Sequence, residues 1–167
     1  MKEKTVKVLK SALWFLVKLN VLAVPLYLIV TFGYSVPQLQ DIWAAALDQS
    51  LRSLGYETAI HGNVIGVKSG DTIHQIDLSW DSTGWKSLYA LTALVFASGV
   101  ATLSGKLRFL AFGLPTIAFM NLLRVVTTIV FSLEFGFQWF DFVHGFLWGA
   151  VMVVFVVGMW YYLFFKR

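Results

Sequence analysis

A chain of 167 residues has the length of one soluble domain, but 58% of it is apolar, only 13% is charged, and its mean hydropathy is +0.73. A soluble domain carries about 25% charged residues. This one has too little charge to cover a water-facing surface, which excludes an ordinary globular enzyme and a disordered chain alike. The absence of cysteine removes disulfides and Cys-ligated metals, and the net charge of +4 is distributed by membrane sidedness rather than as a nucleic-acid-binding patch.

Four segments reach the roughly 20 mostly apolar residues that a spanning helix needs: about 11–33, 86–104, 108–131 and 142–164. The expected fold is an all-α polytopic membrane protein with four transmembrane helices and a small outer α+β insertion. The chain divides into 1–33 (amino-terminal flank and first helix), 34–81 (extracytoplasmic insertion) and 82–167 (three-helix catalytic membrane core). Lys2, Lys4, Lys7 and Lys10 precede the first helix, Lys106 and Arg108 occupy the 102–108 loop, and Lys166 and Arg167 end the chain. Asp41, Asp48, Glu57, Asp71, Asp77, Asp81, Glu134 and Asp141 fall in the other connections. Cytoplasmic loops collect Lys and Arg, so both termini are expected in the cytoplasm. The first segment starts like a signal peptide, but Lys18 and Asn20 interrupt its apolar run and no small-x-small cleavage site follows Phe32, so a retained helix is expected. Lys18 can snorkel, and Pro25 can kink that helix.

After the first helix, Leu39, Ile42, Trp43, Ala46, Leu47, Leu51 and Leu54 repeat with the spacing of one helical face. Ser35 and Pro37 mark the start of this amphipathic helix, Asp41 suits its first turn, Arg52 its last, and Gly55 its end. A lid on the bilayer or the bundle is its expected role, ahead of a wall of the substrate site. Short β-prone runs follow at 58–60, 64–68 and 72–78, broken by His61-Gly62-Asn63 and Ser69-Gly70-Asp71. These are hairpin signals, and the last run puts Ile76, Leu78 and Trp80 on one face. A small hairpin or meander on the outer membrane surface is expected.

The informative residues are ionisable ones at membrane depth. Arg124 sits about seven residues, roughly 10 Å, below the outer end of the third predicted span, where an Arg near the bilayer centre costs about 2.5–3.5 kcal/mol. A structural pairing with Asp141 would offset that; so would use as a cation for binding or chemistry. Asn121 lies one turn before it on the same face. His144 heads the fourth span, with Asp141 at i−3 where a carboxylate can orient an imidazole. Ser82 opens the second span at the same level. Ser82 or Thr83 can be a plain helix cap, with Gly84 allowing close approach and Lys86 snorkelling; the same helix start offers amides and a positive dipole end to an anion.

These residues together resemble the exosortase and archaeosortase family of polytopic membrane transpeptidases, and the archaeosortases most closely. That family's motif is Cys, then Gly two residues on, then a basic residue and Ser. Ser82-Thr83-Gly84-Trp85-Lys86-Ser87 matches it with Ser82 at the Cys position. Asn121-Leu122-Leu123-Arg124 resembles the family's Asn-x-x-Arg, and His144-Gly145 its third element; the likeness covers about residues 80–164. It implies a cysteine transpeptidase that recognises a carboxy-terminal signal of short motif, transmembrane helix and basic cluster. Such an enzyme cleaves on the outer face and passes the acyl group to an acceptor, an amine-bearing lipid. Ser82, Arg124 and His144 would be catalytic; Asp81, Thr83, Gly84, Lys86, Asn121 and Asp141 would support them or bind substrate. No cofactor and no metal are implied. The Arg and the helix end suit a thiolate, whereas a hydroxyl without a placed base is a poor nucleophile. Ser82 therefore marks the chain as an inactivated form or a natural serine variant. Two other readings stand beside this one. A non-catalytic binding module or small transporter subunit would use Arg124 for an anionic ligand. A metal-dependent hydrolase would use His61, His74, His144 and nearby Asp, but the sequence has no HExxH and no tight His pair.

Overall fold

The computed structural model describes residues 2–99 and 101–165; Lys166 and Arg167, the basic flank expected at the carboxy end, lie outside the described residues. Helix α1 spans Lys2–Thr31. Pro25 withholds one amide from its ladder, and in the same turn the Tyr89 hydroxyl donates to the Leu22 carbonyl at 2.5 Å. Helix α2 (Pro37–Ser53) begins with Pro37 in its first turn and Val36 as an extended cap that lends no side-chain hydrogen bond. Ser35 is thus not the cap: a Pro at the first helical position has no amide to satisfy there.

An antiparallel meander follows: β1 (Thr58–His61), β2 (Val64–Ser69) and β3 (Thr72–Asp77), in spatial order β1-β2-β3. Ile65 faces Ile76 across the β2–β3 pair and Val67 faces His74. Paired residues share a sheet face, so His74 continues the core face of Ile65, Val67 and Ile76. Leu78 is buried beyond them as the alternation expects. The buried face of α2 is Ala44, Leu47 and Leu51, while Ile42 (65% exposed) and Leu54 (58%) point away. The expected stripe is rotated because α2 packs on two surfaces, the sheet and the long helix α4 (Leu103–Phe135).

A 3₁₀ turn, Trp80–Thr83, leads into α3 (Trp85–Ala97). Helix α4 (Leu103–Phe135) is followed by a 3₁₀ turn at Phe137–Trp139, a π-helical stretch at Phe142–Leu147, and α5 (Trp148–Phe165). Among the described residues, three helical segments are long and apolar enough to cross a membrane: Glu3–Thr31, Leu103–Phe135 and Phe137–Tyr162. The second expected span is only the 13-residue α3, about 20 Å against a hydrocarbon core of about 30 Å. Length therefore supports three spans among the described residues and does not confirm a fourth. Helix α3 stops because Ser98 turns to an extended conformation, and Lys106 of α4 donates to the carbonyls of Phe96 and Ser98 at 3.2 and 2.7 Å, satisfying groups that apolar surroundings would otherwise penalise.

Two apolar cores share α4. Leu91, Val95, Phe109, Leu110, Ile117, Met152 and Val156 join α3, α4 and α5. Farther along α4, Val125, Val126 and Ile129 join Leu47 and Leu51 of α2, Ile65 and Val67 of the sheet, and Leu78 just past β3. At 33 residues, α4 is about 50 Å long, enough to cross a bilayer and still anchor the α2–sheet cap. Asn121 and Arg124 stand where one core gives way to the other.

Candidate active site

Ser82 lies in the 3₁₀ turn, not at the head of α3 as expected. Gly84, at φ +75°, separates the two and is itself the cap of α3; the left-handed conformation re-aims the chain and is cheap only for glycine. Ser79 organises the turn. Its carbonyl accepts the Ser82 amide at 3.0 Å, and its hydroxyl lies 3.0 Å from that of Ser82. Thr83, fully buried, donates to the Trp80 carbonyl at 2.8 Å.

The buried Asn121 amide donates to the Ser82 carbonyl at 2.8 Å and accepts from Arg124 Nη1 at 3.4 Å. Arg124 Nη2 lies 2.9 Å from His144 Nε2. A continuous polar chain thus runs from the Ser82 backbone through Asn121 and Arg124 to His144, across three elements far apart in sequence. A Cβ at Gly84 would fall 2.5–2.8 Å from three atoms of the Asn121 side chain, so the glycine makes room for the bridge. His144 sits in the π-helical stretch, a distortion frequent at functional sites.

The other expected residues lie around this chain rather than in it. Asp81 accepts from Lys86 at 2.7 Å and from Trp85 Nε1 at 3.3 Å. Both Asp81 and Lys86 line a groove of about 340 Å³ that runs from Ser79 to Ile29, Val30 and Gly33 at the end of α1. Asp141 is exposed and does not hold the imidazole: His144 Nδ1 is buried without a hydrogen-bond partner among the described residues. The i, i+3 spacing fails because His144 lies in the π-helical stretch Phe142–Leu147 rather than in an α-helix. Sequence reasoning missed Ser79, although a Ser three residues before Ser82 has cap spacing. It also missed Phe140, which stacks on His144 with centroids 5.4 Å apart.

Comparison with known families reads the same elements. The profile of the transmembrane exosortases matches residues 6–162, almost the whole chain. The chain belongs to the transmembrane exosortase family. Neither a curated protein nor a solved structure matches it. For this exosortase-family chain the match begins in α1 and takes in α2 and the meander, so the outer segment, left outside the resemblance drawn from motifs, is part of the family's domain. Membership and the apolar helices place it in a membrane.

Proposed function

We propose that this chain is a membrane-embedded, sortase-like transpeptidase, nearest the archaeosortases, with Ser82 at the position of the nucleophilic cysteine and residues 82–167 as its catalytic membrane core. The observation that carries the reading is the bridge from Ser82 through Asn121 to Arg124 and His144. With Cys at position 82, the thiolate attacks the scissile carbonyl and a C–S bond forms. Arg124 stabilises the thiolate and the tetrahedral oxyanion. The C–N bond then breaks, and His144, which takes the thiol proton at Nε2 as the nucleophile ionises, hands it to the leaving amine. An acceptor amine, on a membrane lipid, attacks the thioester and releases the thiol.

The substrate class is a secreted protein ending in a short motif, a transmembrane helix and a basic tail. With both chain termini cytoplasmic and the site on the outer side, that tail stays inside under the same charge rule. The present chain is inactive as a cysteine transpeptidase. The Ser82 hydroxyl lies in hydrogen-bond reach of another hydroxyl, that of Ser79, which supplies no base to raise its nucleophilicity.

The test is the Ser82→Cys protein in lipid nanodiscs with a substrate carrying such a signal, the covalent adduct being read by mass spectrometry. Expected are an acyl-enzyme with Ser82→Cys, none with Ser82, and a loss of about 10²–10³-fold in its rate of formation on adding Arg124→Ala. No adduct in Ser82→Cys, with Arg124→Ala indifferent, overturns the reading. Binding of an anionic solute or lipid that depends on Arg124 alone, indifferent to Ser82 and His144, marks the chain as a non-catalytic module instead.

A further inference from the structure

His144 is held in an unusual way. A guanidinium has only donors, so the Arg124 Nη2 hydrogen bond at 2.9 Å makes Nε2 the acceptor and leaves the imidazole proton on Nδ1. That nitrogen is buried and has no partner among the described residues. A histidine that moves protons is commonly oriented by a hydrogen bond at its second nitrogen; here an aromatic face is what lies against the ring. Phe140 stacks on His144 at 5.4 Å with the planes 17° apart. Phe137 stacks on Phe140 at 6.3 Å and 11°, and His74 on Phe137 at 4.5 Å and 22°.

Four nearly parallel rings thus form one column from strand β3 to the site. Its two ends are specified independently. Phe137, Phe140 and His144 stand on the irregular helical connection between α4 and α5, whose 3₁₀ and π turns bring their rings into register. His74 reaches them because its pairing with Val67 puts it on the core face of a sheet that α2 and α4 hold in place. Gly136, at φ +101°, ends α4 and turns Phe137 toward the sheet.

We propose that Phe140, backed by Phe137 and His74, is a positioning residue for His144, so that the extramembrane sheet is a working part of the site rather than only a lid. The part of this that concerns activity rests on the transpeptidase reading; the part that concerns ring orientation does not.

Two measurements on the full chain in nanodiscs separate them. The first follows the imidazole nitrogens of His144 by NMR with ¹⁵N-histidine, assigned by the signals lost in His144→Gln. Unaltered protein gives the single Nδ1–H tautomer. Phe140→Leu and His74→Ala free the ring to turn and give a mixture of tautomers, whereas Phe140→Tyr and His74→Phe, which keep a stacking face, restore the single form. His61→Ala, on β1 and outside the column, changes nothing. The second measurement adds the same substitutions to Ser82→Cys. Phe140→Leu and His74→Ala slow acylation by about 10–100-fold with KM within about twofold, and His74→Phe recovers the rate.

An unchanged spectrum in both Phe140→Leu and His74→Ala overturns the proposal, as does His74→Phe behaving like His74→Ala. Spectra that change while acylation does not reduce the column to packing and overturn the working role. If Ser82→Cys acylates no substrate, the transpeptidase reading falls while the nitrogen spectra still decide the column. Should Phe140→Leu fail to fold, His74→Ala, at a partly exposed strand position, carries the test.

Discussion

Asn121 uses both ends of one amide, donating to the Ser82 carbonyl and accepting from Arg124. Neither a carboxylate nor an aliphatic side chain can do both, since the first lacks a donor and the second has no polar atom. Gly84 is the reciprocal half of this arrangement. Gly84→Ala adds a Cβ at 2.5 Å from Asn121 Cγ on a backbone at φ +75°; at Gly62 the φ is similar, +62°, with nothing within 4 Å. Both alanines carry a backbone cost of about 1–3 kcal/mol. Gly84→Ala is expected to lower thermal stability in detergent by more than Gly62→Ala, and it alone is expected to remove acylation from the Ser82→Cys protein. Equal melting shifts would mean that Asn121 yields to the methyl group freely. At this scale Ser82, Gly84, Asn121, Arg124 and His144 were legible, because polar residues at membrane depth are expensive and a glycine beside them has a geometric purpose. Asp141 misled: its spacing from His144 presumed an α-helix that the chain does not form there.

The cap formed by α2 and the meander is tied to α4 by packing and by one polar contact at its rim, where the Tyr56 hydroxyl donates to Glu134 at 3.3 Å. Burial first, and then the charge and hydrogen bond of Glu134, raise the Tyr56 phenol above its ordinary 10.0. Because the folded value is the higher one, the unfolded chain loses its proton first as pH rises. The contribution of this contact is therefore whole below pH 10.0 and is lost as pH climbs through the folded value. Melting temperatures of the unaltered protein and Tyr56→Phe, compared below and above pH 10.0, should differ at the lower pH and converge at the higher. A constant gap would remove Glu134 from the account. The strands and α2 were legible from period-two and helical patterning. The rotation of the α2 stripe was not, since hydropathy reports which residues avoid water and not which of two neighbours they meet.

For the whole molecule, the question is how a chain whose described residues hold three membrane-length segments and one short apolar helix sits in a bilayer. The absence of cysteine from this chain makes single-cysteine labelling free of background. In sealed vesicles of known orientation, an impermeant thiol reagent is expected to reach Asp71→Cys from the extracytoplasmic side and Lys4→Cys and Ser104→Cys only from the other. Labelling of Lys4→Cys and Ser104→Cys from opposite faces would break the proposed sidedness and leave α3 as a helix that does not connect the two leaflets.

From the sequence come the lipid solvent, the polar residues that a bilayer would penalise, and an amphipathic helix followed by short strands between residues 34 and 81; hydropathy, charge and periodicity are local properties, readable one window at a time. It took the folded chain to reveal that α3 ends short under Lys106, that α4 serves two cores, and that the imidazole of His144 meets a ring rather than a carboxylate. Each of these depends on backbone irregularities and on contacts between segments many residues apart, and the free energy of such contacts belongs to pairs of surfaces, which no single stretch of chain contains.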